Sequence, residues 1–485
     1  MAESTTAVKT AVPQSQIAHA FAVQLGARLI GMVASVISVT MTARYLGPGR
    51  YGQLLIAVAF IGMWASLADL GIGTVIVRRV TSGHGELERL VRVNSGLSLA
   101  YCLPLAGLAV GSGVLTYRDH DVRVMLAVLS GQLLMLTMTS RLQPVFLTMV
   151  RFSAVAVSDV VSRVGMLATI SVLVTRHADV IWFAVAQLVP WSLQLLVQGV
   201  AASRHISLRP IFSLRESADL VRESLPLTGA AVVGILYWRT DGVILSLLST
   251  HGEVGVYGLA YMVAFNVEML SAFFLKSTLS TATELFARDI AAFAAFLRRS
   301  VELMCFAAVP IAVVGALVAG PLIGLFGDQA FVDRGGPTLA LLFGAAALRF
   351  VTGTLGQGLI ASHQQQFFFR MFIVSFGLNV VLNVVLDGRF GAVGAAAALA
   401  GTELFGLAIA NWWMRRQCAY RTPVAFLART LVPTAFAVAI TLLLSGQHVV
   451  LTLIAAGVGY AAVSLAMGPV SWATVKSMFG RKAVA

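Results

Sequence analysis

Charged residues are scarce in this chain of 485 residues. Asp, Glu, Lys and Arg together make up 11% of it, while 58% of the residues are hydrophobic. Ordinary soluble domains carry about 25% charged residues. The composition therefore excludes a soluble globular protein. It favours a protein whose segments cross a bilayer, each of which needs about 20 mostly apolar residues.

Cysteines and catalytic signatures are scarce as well. The three cysteines, Cys102, Cys305 and Cys418, are too few and too scattered to predict a disulfide framework. No GxxxxGK[ST] motif is present, so the sequence gives no sign of an ATP-hydrolysing phosphate loop. The longest predicted connections inside the cell, 202–225 and 276–299, are too short for a catalytic domain. We therefore expect a protein that is not an enzyme and that uses no cofactor or metal.

The apolar segments predict an all-α, polytopic membrane protein with about 14 transmembrane helices. The first 20 residues are mostly small or polar and lack a cleavage site, so we expect the first span to be retained. The thirteenth span is shorter than the others. The predicted spans are 21–43, 51–77, 93–114, 124–140, 152–174, 180–201, 226–248, 254–275, 300–325, 337–361, 367–386, 391–413, 430–445 and 449–468.

Lys and Arg concentrate in alternate loops. If both termini are cytoplasmic, the inside segments hold 23 Lys and Arg and the outside loops hold 7. This asymmetry is the positive-inside pattern, and it predicts a plasma-membrane protein with both termini in the cytoplasm. The net charge of +13 is then explained by anionic membrane lipids as partners rather than by nucleic acid.

A short repeat predicts two lobes. The pattern G-x-Y-G occurs at 49–52 and again at 255–258, each time after the first span of a six-span set. Two six-helix lobes of like orientation would enclose a central cavity. The predicted organisation is a cytoplasmic tail (1–20), a first lobe (21–201), an amphipathic cytoplasmic linker (202–225), a second lobe (226–413), a basic cytoplasmic loop (414–429), a final helix pair (430–468) and a second cytoplasmic tail (469–485).

Four arginines, Arg28, Arg163, Arg239 and Arg349, lie in the middle of hydrophobic segments long enough to cross a bilayer. A charge at membrane depth costs at least ~2.5–3.5 kcal/mol, so we expect these side chains to face an internal cavity rather than lipid. Guanidinium groups match phosphate in shape and charge, which indicates an anionic cargo. Gln24 lies one turn before Arg28 and shares its helix face. The alternative for Arg28 is snorkelling to the inner membrane surface.

Acidic and polar residues within the spans have two interpretations. The acids act in energy coupling, or they pair with the buried arginines. The spacing of Asp159 and Arg163 predicts a structural ion pair, and Glu403 is a candidate proton carrier or a partner of Arg349. A stripe at intervals of four along span eleven predicts helix–helix hydrogen bonds or contacts to sugar hydroxyls. The acids are Asp69, Asp159, Asp241, Glu268 and Glu403, and the stripe comprises Ser375, Asn379 and Asn383, followed by Asp387.

Several motifs resemble those of a known family, the bacterial exporters that flip lipid-linked oligosaccharides in polysaccharide synthesis. The resemblance covers most of residues 20–415. Its order and spacing carry more weight than any single motif. The matching segments are RYLGPGRYG at 44–52, ADLGIG at 68–73, GEVGVYGLAY at 252–261, LNVVLN at 378–383 and GAVGAA at 391–396.

The resemblance implies a function. The family belongs to a superfamily that also contains lipid II flippases and multidrug extruders, with two six-helix lobes and alternating access. Its cargo is an oligosaccharide on a polyprenyl pyrophosphate carrier, and polysaccharide polymerases or glycosyltransferases are expected partners. The buried arginines would then bind the pyrophosphate. Membrane potential alone would favour export of a charge of about −2 by roughly 4–5 kcal/mol at −100 mV.

Two other classes are alternatives. A cation-coupled multidrug extruder on the same fold typically carries an acidic residue in its first helix, and residues 21–43 contain neither Asp nor Glu. An integral-membrane glycan polymerase or glycosyltransferase usually has a large external loop, and the predicted external loops are all short. Both features favour the flippase.

Overall fold

The computed structural model describes residues 14–68, 71–149, 152–418 and 420–467. All regular secondary structure within these ranges is helical, which confirms the predicted all-α class. The helices are α1 (Gln14–Ala68), α2 (Ile72–Thr81), α3 (Leu87–Thr116), α4 (His120–Ser140), α5 (Gln143–Thr148), α6 (Phe152–Thr175), α7 (Val180–Ala186), α8 (Leu188–Ser203), α9 (Leu214–Leu248), α10 (His251–Arg288), α11 (Ile290–Phe326), α12 (Gln329–Ala361), α13 (Gln365–Phe390), α14 (Ala392–Gln417), α15 (Val424–Leu443) and α16 (Val449–Met467).

Twelve helical segments of the described chain are long and apolar enough to cross a membrane. One of them, Ile30–Ala65, extends over parts of the first two predicted spans. The predicted span 226–248 lies within α9, where most of its side chains are outside the described residues. The thirteenth predicted span, 430–445, overlaps most of α15, whose 20 residues are enough for a crossing. A polytopic membrane fold is confirmed, and the count of 14 stays a prediction.

A kink divides α1 at Gly47. This glycine has φ 66° and ψ 173°, a backbone conformation that L side chains rarely adopt, and Pro48 follows it. The predicted external loop 44–50 is therefore a kink between two helical segments. Arg44 beside the kink donates from Nη2 to the carbonyl oxygen of Leu325 at 2.8 Å, which satisfies a carbonyl in the last turn of α11.

Side-chain caps fix several helix starts. Asp119, Asp289 and Asp328 accept backbone N–H groups in the first turns of α4, α11 and α12 at 2.8–3.0 Å. Within the predicted amphipathic linker, α9 begins directly after Ser213, whose Oγ accepts from the N–H of Glu216 at 3.5 Å. The helix then continues without interruption to Leu248.

The chain divides into two compact units. The first contains the described residues up to Thr42 together with Phe60–Leu236, and the second contains Ala43–Ala59 and the described residues from Tyr237 onward. Each has its own apolar core. The first core includes Ile72, Val75, Ile76, Val91, Val145 and Leu220, and the second includes Phe293, Leu297, Leu355, Leu359 and Met414. The lobe, linker and tail boundaries proposed from the sequence stay predictions.

Candidate functional site

The second unit contains a group of ionisable and amide side chains that five helices bring together. We call it the buried polar cluster. It draws one or more residues from each of α9, α10, α12, α13 and α14. Its members are Asp241, Tyr257, Glu268, Arg349, Asn379, Asn383, Asp387 and Glu403.

Arg349 of α12 joins two acids from different helices. Its Nε lies 3.1 Å from Oε1 of Glu403 on α14, and its Nη1 lies 3.3 Å from Oε1 of Glu268 on α10. The side chain of Glu403 is 6% exposed and that of Arg349 is 16% exposed. The guanidinium group of Arg349 is therefore paired with two carboxylates. The pairing of Arg349 with Glu403 was one of the two interpretations of the sequence, and Glu268 is an additional partner.

Asp241 and Asp387 form the other half of the cluster. Tyr257 Oη donates to Oδ2 of Asp241 at 3.2 Å, while Oδ1 of Asp241 has no hydrogen-bond partner among the described residues. Asp387 is fully buried, and in this part of the chain neither of its side-chain oxygens has a partner. The two carboxylates lie close enough to interact electrostatically. Burying them together is costly unless a proton or a cation neutralises the pair.

The polar stripe on α13 faces inward. Ser375, Asn379 and Asn383 are all buried. Asn383 Nδ2 donates to the carbonyl oxygen of Asn379 at 2.8 Å and lies 3.1 Å from its Oδ1, so these bonds lie within α13. Asn379 Nδ2 and Asn383 Oδ1 have no partner among the described residues. Buried polar atoms of this kind usually bind a water, an ion or a ligand.

The cluster is acidic overall. One guanidinium, that of Arg349, stands against the four carboxyl groups of Asp241, Glu268, Asp387 and Glu403. Arg239 is exposed on α9 and forms no ion pair with any described residue. The arginine-lined cavity expected from the sequence stays a prediction. The arrangement can hold a proton or a cation. Arg349 can bind another anion only if Glu268 or Glu403 first moves away from its guanidinium group.

The first unit contains the predicted ion pair on α6. Arg163 Nε lies 3.0 Å from Oδ2 of Asp159, and Arg163 Nη1 donates to Oγ of Ser35 on α1 at 2.7 Å. Gly31 makes room for this side chain, because a Cβ atom there would lie 2.7 Å from Cδ of Arg163. The guanidinium thus connects two helices. The side chains of Arg28 and Gln24, and all of Asp69, lie outside the described residues, so their roles stay predictions.

Arg141 is a buried arginine that the sequence does not reveal. It follows predicted span four, in a predicted inside loop, yet only 4% of its surface is exposed. Its Nε donates to the carbonyl oxygen of Thr137 at 2.9 Å and its Nη1 to that of Ser95 at 2.8 Å. No acidic residue occurs between Asp121 and Asp159. Nothing in the sequence around Arg141 distinguishes it from an exposed loop arginine.

Comparison with known proteins identifies the family. The profile of the family described as "Polysaccharide biosynthesis protein" matches residues 17–280, more than half of the chain. This chain belongs to the polysaccharide biosynthesis protein family. The resemblance drawn from the motifs at 44–52 and 252–261 is thereby confirmed.

The relatives of this polysaccharide biosynthesis protein include named flippases. The probable flippase AglR of Haloferax volcanii is 25% identical over 408 residues, which are 79% of this chain and 80% of the relative. The probable low-salt glycan biosynthesis flippase Agl15 of the same organism is 23% identical over 77% of this chain and 78% of its own. The lipopolysaccharide biosynthesis protein WzxC of Escherichia coli K12 is 23% identical over 49% of this chain and 47% of its own.

Solved structures identify the fold. The lipid II flippase MurJ in an inward closed conformation superposes with a TM-score of 0.75 at 14% identity, covering 91% of this chain and 97% of MurJ. An inward-facing multidrug resistance transporter of the MATE family superposes at 0.58 with 14% identity, covering 81% and 98%. At these identities the similarity establishes the fold alone. The chain is a multi-pass membrane protein whose fold is similar to that of MurJ and of the MATE-family transporter.

Proposed function

We propose that this protein is a flippase, not an enzyme, that moves a polyprenyl-pyrophosphate-linked oligosaccharide from the cytoplasmic to the outer leaflet of the cell membrane. One observation carries the proposal. Two relatives named as flippases align over more than three quarters of both chains, within a family described by polysaccharide biosynthesis. The proposal includes alternating access, a plasma-membrane location with cytoplasmic termini, and polymerases or glycosyltransferases as partners.

The pyrophosphate needs cationic side chains during its passage through the protein. The prenyl chain remains in the bilayer, while the charged headgroup exchanges water for protein groups. Arg28 and Arg239 are the arginines we assign to this contact first, since Arg239 is exposed and has no ion pair among the described residues. Arg349 joins them only when a phosphate oxygen replaces Glu268 or Glu403. Replacement of Arg239 by Lys would keep the charge but lose the bidentate geometry.

Energy coupling is the second part of the proposal. Membrane potential alone favours export of a charge of about −2 by roughly 4–5 kcal/mol at −100 mV. The unpartnered oxygens of Asp241 and Asp387 add a place where a cation or a proton would contribute. Measuring the flipping rate after collapse of the membrane potential, and separately after removal of sodium, distinguishes potential-driven transport from sodium-coupled transport. If potential alone drives transport, then sodium removal and Asp387→Asn will leave the flipping rate unchanged.

Depletion of the protein in its native cell tests the function itself. We expect lipid-linked oligosaccharide to accumulate on the cytoplasmic leaflet, where externally added glycan-cleaving enzymes cannot reach it, and re-expression to reverse this. A multidrug extruder would give increased drug sensitivity with normal glycan export. A polymerase or glycosyltransferase would give short or unmodified glycans on the outer leaflet. Either of these outcomes would overturn the assignment.

A further inference from the structure

Arg141 is a buried cation without a counter-charge among the described residues. Two of its three guanidinium nitrogens donate to backbone carbonyl oxygens, those of Thr137 and Ser95. The third, Nη2, is buried and has no hydrogen-bond partner in this part of the chain. Carbonyl groups satisfy hydrogen bonds but do not cancel a full charge. An isolated buried charge is strongly destabilising unless an anion accompanies it.

A small polar cavity adjoins this guanidinium in the first unit. Asn94 and Ser98 of α3 line it together with Tyr101, and Thr137 and Ser140 of α4 complete the polar wall. The space open to the centre of a water-sized particle is about 10 Å³. A cavity of this kind holds one small particle.

We propose that this cavity binds a single monatomic anion, chloride in the cell, which neutralises Arg141. The anion would accept from Nη2 of Arg141 and from the amide of Asn94. Asn94 Oδ1 accepts from Ser98 Oγ at 3.5 Å, so the NH₂ group of this amide is the part that can donate to an anion. The hydroxyl groups of the wall can rotate their protons toward the anion.

A water molecule is the competing occupant. It fits the volume and can accept from Nη2 of Arg141, but it leaves the positive charge uncompensated. The Coulomb attraction between unit charges is far stronger in a low-dielectric interior than in water. The proposal requires this attraction to exceed the cost of dehydrating the anion. This site lies wholly in the first unit and is independent of the cluster around Arg349 and of the proposed flippase activity.

Thermal unfolding of the purified full-length protein tests the site. Sodium gluconate is replaced stepwise by sodium chloride at constant ionic strength. The wild-type protein should gain roughly 1–3 °C in apparent melting temperature, with saturation, because a ligand that binds only the folded state stabilises it. Arg141→Met should abolish the response. Arg204→Met, which removes an exposed arginine from the same unit, should keep it.

A second measurement does not depend on any variant. Wild-type crystals grown in bromide should show an anomalous peak at hydrogen-bond distance from Nη2 of Arg141. The proposal is overturned if sulfate or gluconate stabilises as well as chloride, if Arg141→Met responds like the wild type, or if the cavity holds water without bromide. It is also overturned if chloride raises the melting temperature of the Asp69→Asn variant but not that of the wild type. The carboxylate of Asp69 would then be the group that neutralises Arg141 in the wild-type protein.

Discussion

Gly52 and Gly255 bring the backbones of α1 and α10 into direct contact within the second unit. A Cβ atom on Gly52 would lie 1.7 Å from the carbonyl oxygen of His251, and one on Gly255 would lie 2.2 Å from that of Pro48. Gly52 ends the first G-x-Y-G motif and Gly255 begins the second. The two copies of the sequence repeat therefore pack against each other, and glycine is needed because the contact is between main chains.

Alanine at either position should force these two helices apart. We expect Gly52→Ala and Gly255→Ala each to lower the free energy of unfolding by at least about 1–3 kcal/mol, since backbone atoms cannot move aside as side chains do. Gly49→Ala is the matched control, because a Cβ there meets nothing within 4 Å. Apparent melting temperature and abundance in the membrane are the measurements. Equal stability of all three variants would contradict the close contact.

Removal of Arg349 should leave two largely buried acids, Glu268 and Glu403, without the guanidinium that they share. We expect Arg349→Met to destabilise by about 3–5 kcal/mol, which would appear as reduced abundance in the membrane. Arg288→Met is the control, since that arginine forms an exposed pair with Glu284, and exposed pairs contribute about 0–1 kcal/mol.

A triple variant separates the structural role of Arg349 from a transport role. Arg349→Met combined with Glu268→Gln and Glu403→Gln removes all three charges together. If the ion pairs are purely structural, the triple variant should regain both abundance and glycan export. Normal abundance without export would indicate that Arg349 contacts the cargo. Failure of the triple variant to regain abundance would contradict the pairing as the source of the instability.

The predicted linker is held to the first unit by ion pairs that acid should weaken. Hydrogen bonds from Arg78 and then Arg79 lower the pKa of Glu223, and one from Arg89 lowers the pKa of Glu216. Arg79 Nε lies 2.7 Å from Oε2 of Glu223. Because the folded pKa lies below the ordinary value near ~4.3, this stabilisation is present above that pH and is lost as the pH falls through the folded pKa.

Hydrogen exchange of residues 204–213 measures this attachment. Exchange corrected for the intrinsic rate should be faster at pH 3 than at pH 7. At pH 7, Glu216→Gln combined with Glu223→Gln should reproduce the acid result. Glu284→Gln on α10 removes an exposed pair of the second unit and should have no effect on this segment. Unchanged exchange in the double variant would show that other contacts, such as Ile211 N–H to the Arg92 carbonyl, hold the linker.

The sequence predicted the helices better than it predicted which side chains meet in the buried polar cluster. Apolar runs located the helices because each must be long enough to cross a bilayer, and the spacing of Asp159 and Arg163 predicted their ion pair because residues four apart share a helix face. The electrostatic interaction of Asp241 with Asp387 depends on how α9 and α13 are placed in the fold, which local spacing does not encode. Arg141 was missed because its burial depends on neighbouring helices rather than on adjacent residues.

Membrane orientation can be tested with introduced cysteines. The three native cysteines are buried, so failure to label Cys418 would not report its side of the membrane. Arg421→Cys and Gln447→Cys both lie at exposed positions, the first in the predicted cytoplasmic loop and the second in a predicted external loop. A membrane-impermeant thiol reagent on intact cells should label position 447 and spare position 421. The reverse pattern would invert the topology.

Transport of the cargo by the purified protein is the most direct test of the flippase assignment. The full-length protein is reconstituted into vesicles with a fluorescent polyprenyl-pyrophosphate-linked oligosaccharide on one leaflet. The rate at which the glycan reaches a membrane-impermeant cleaving enzyme on the other side is then measured under an imposed potential and a sodium gradient. We predict a rate well above that of protein-free vesicles, and a large decrease in Arg239→Ala at equal protein content. A rate equal to that of protein-free vesicles under both gradients would contradict the account.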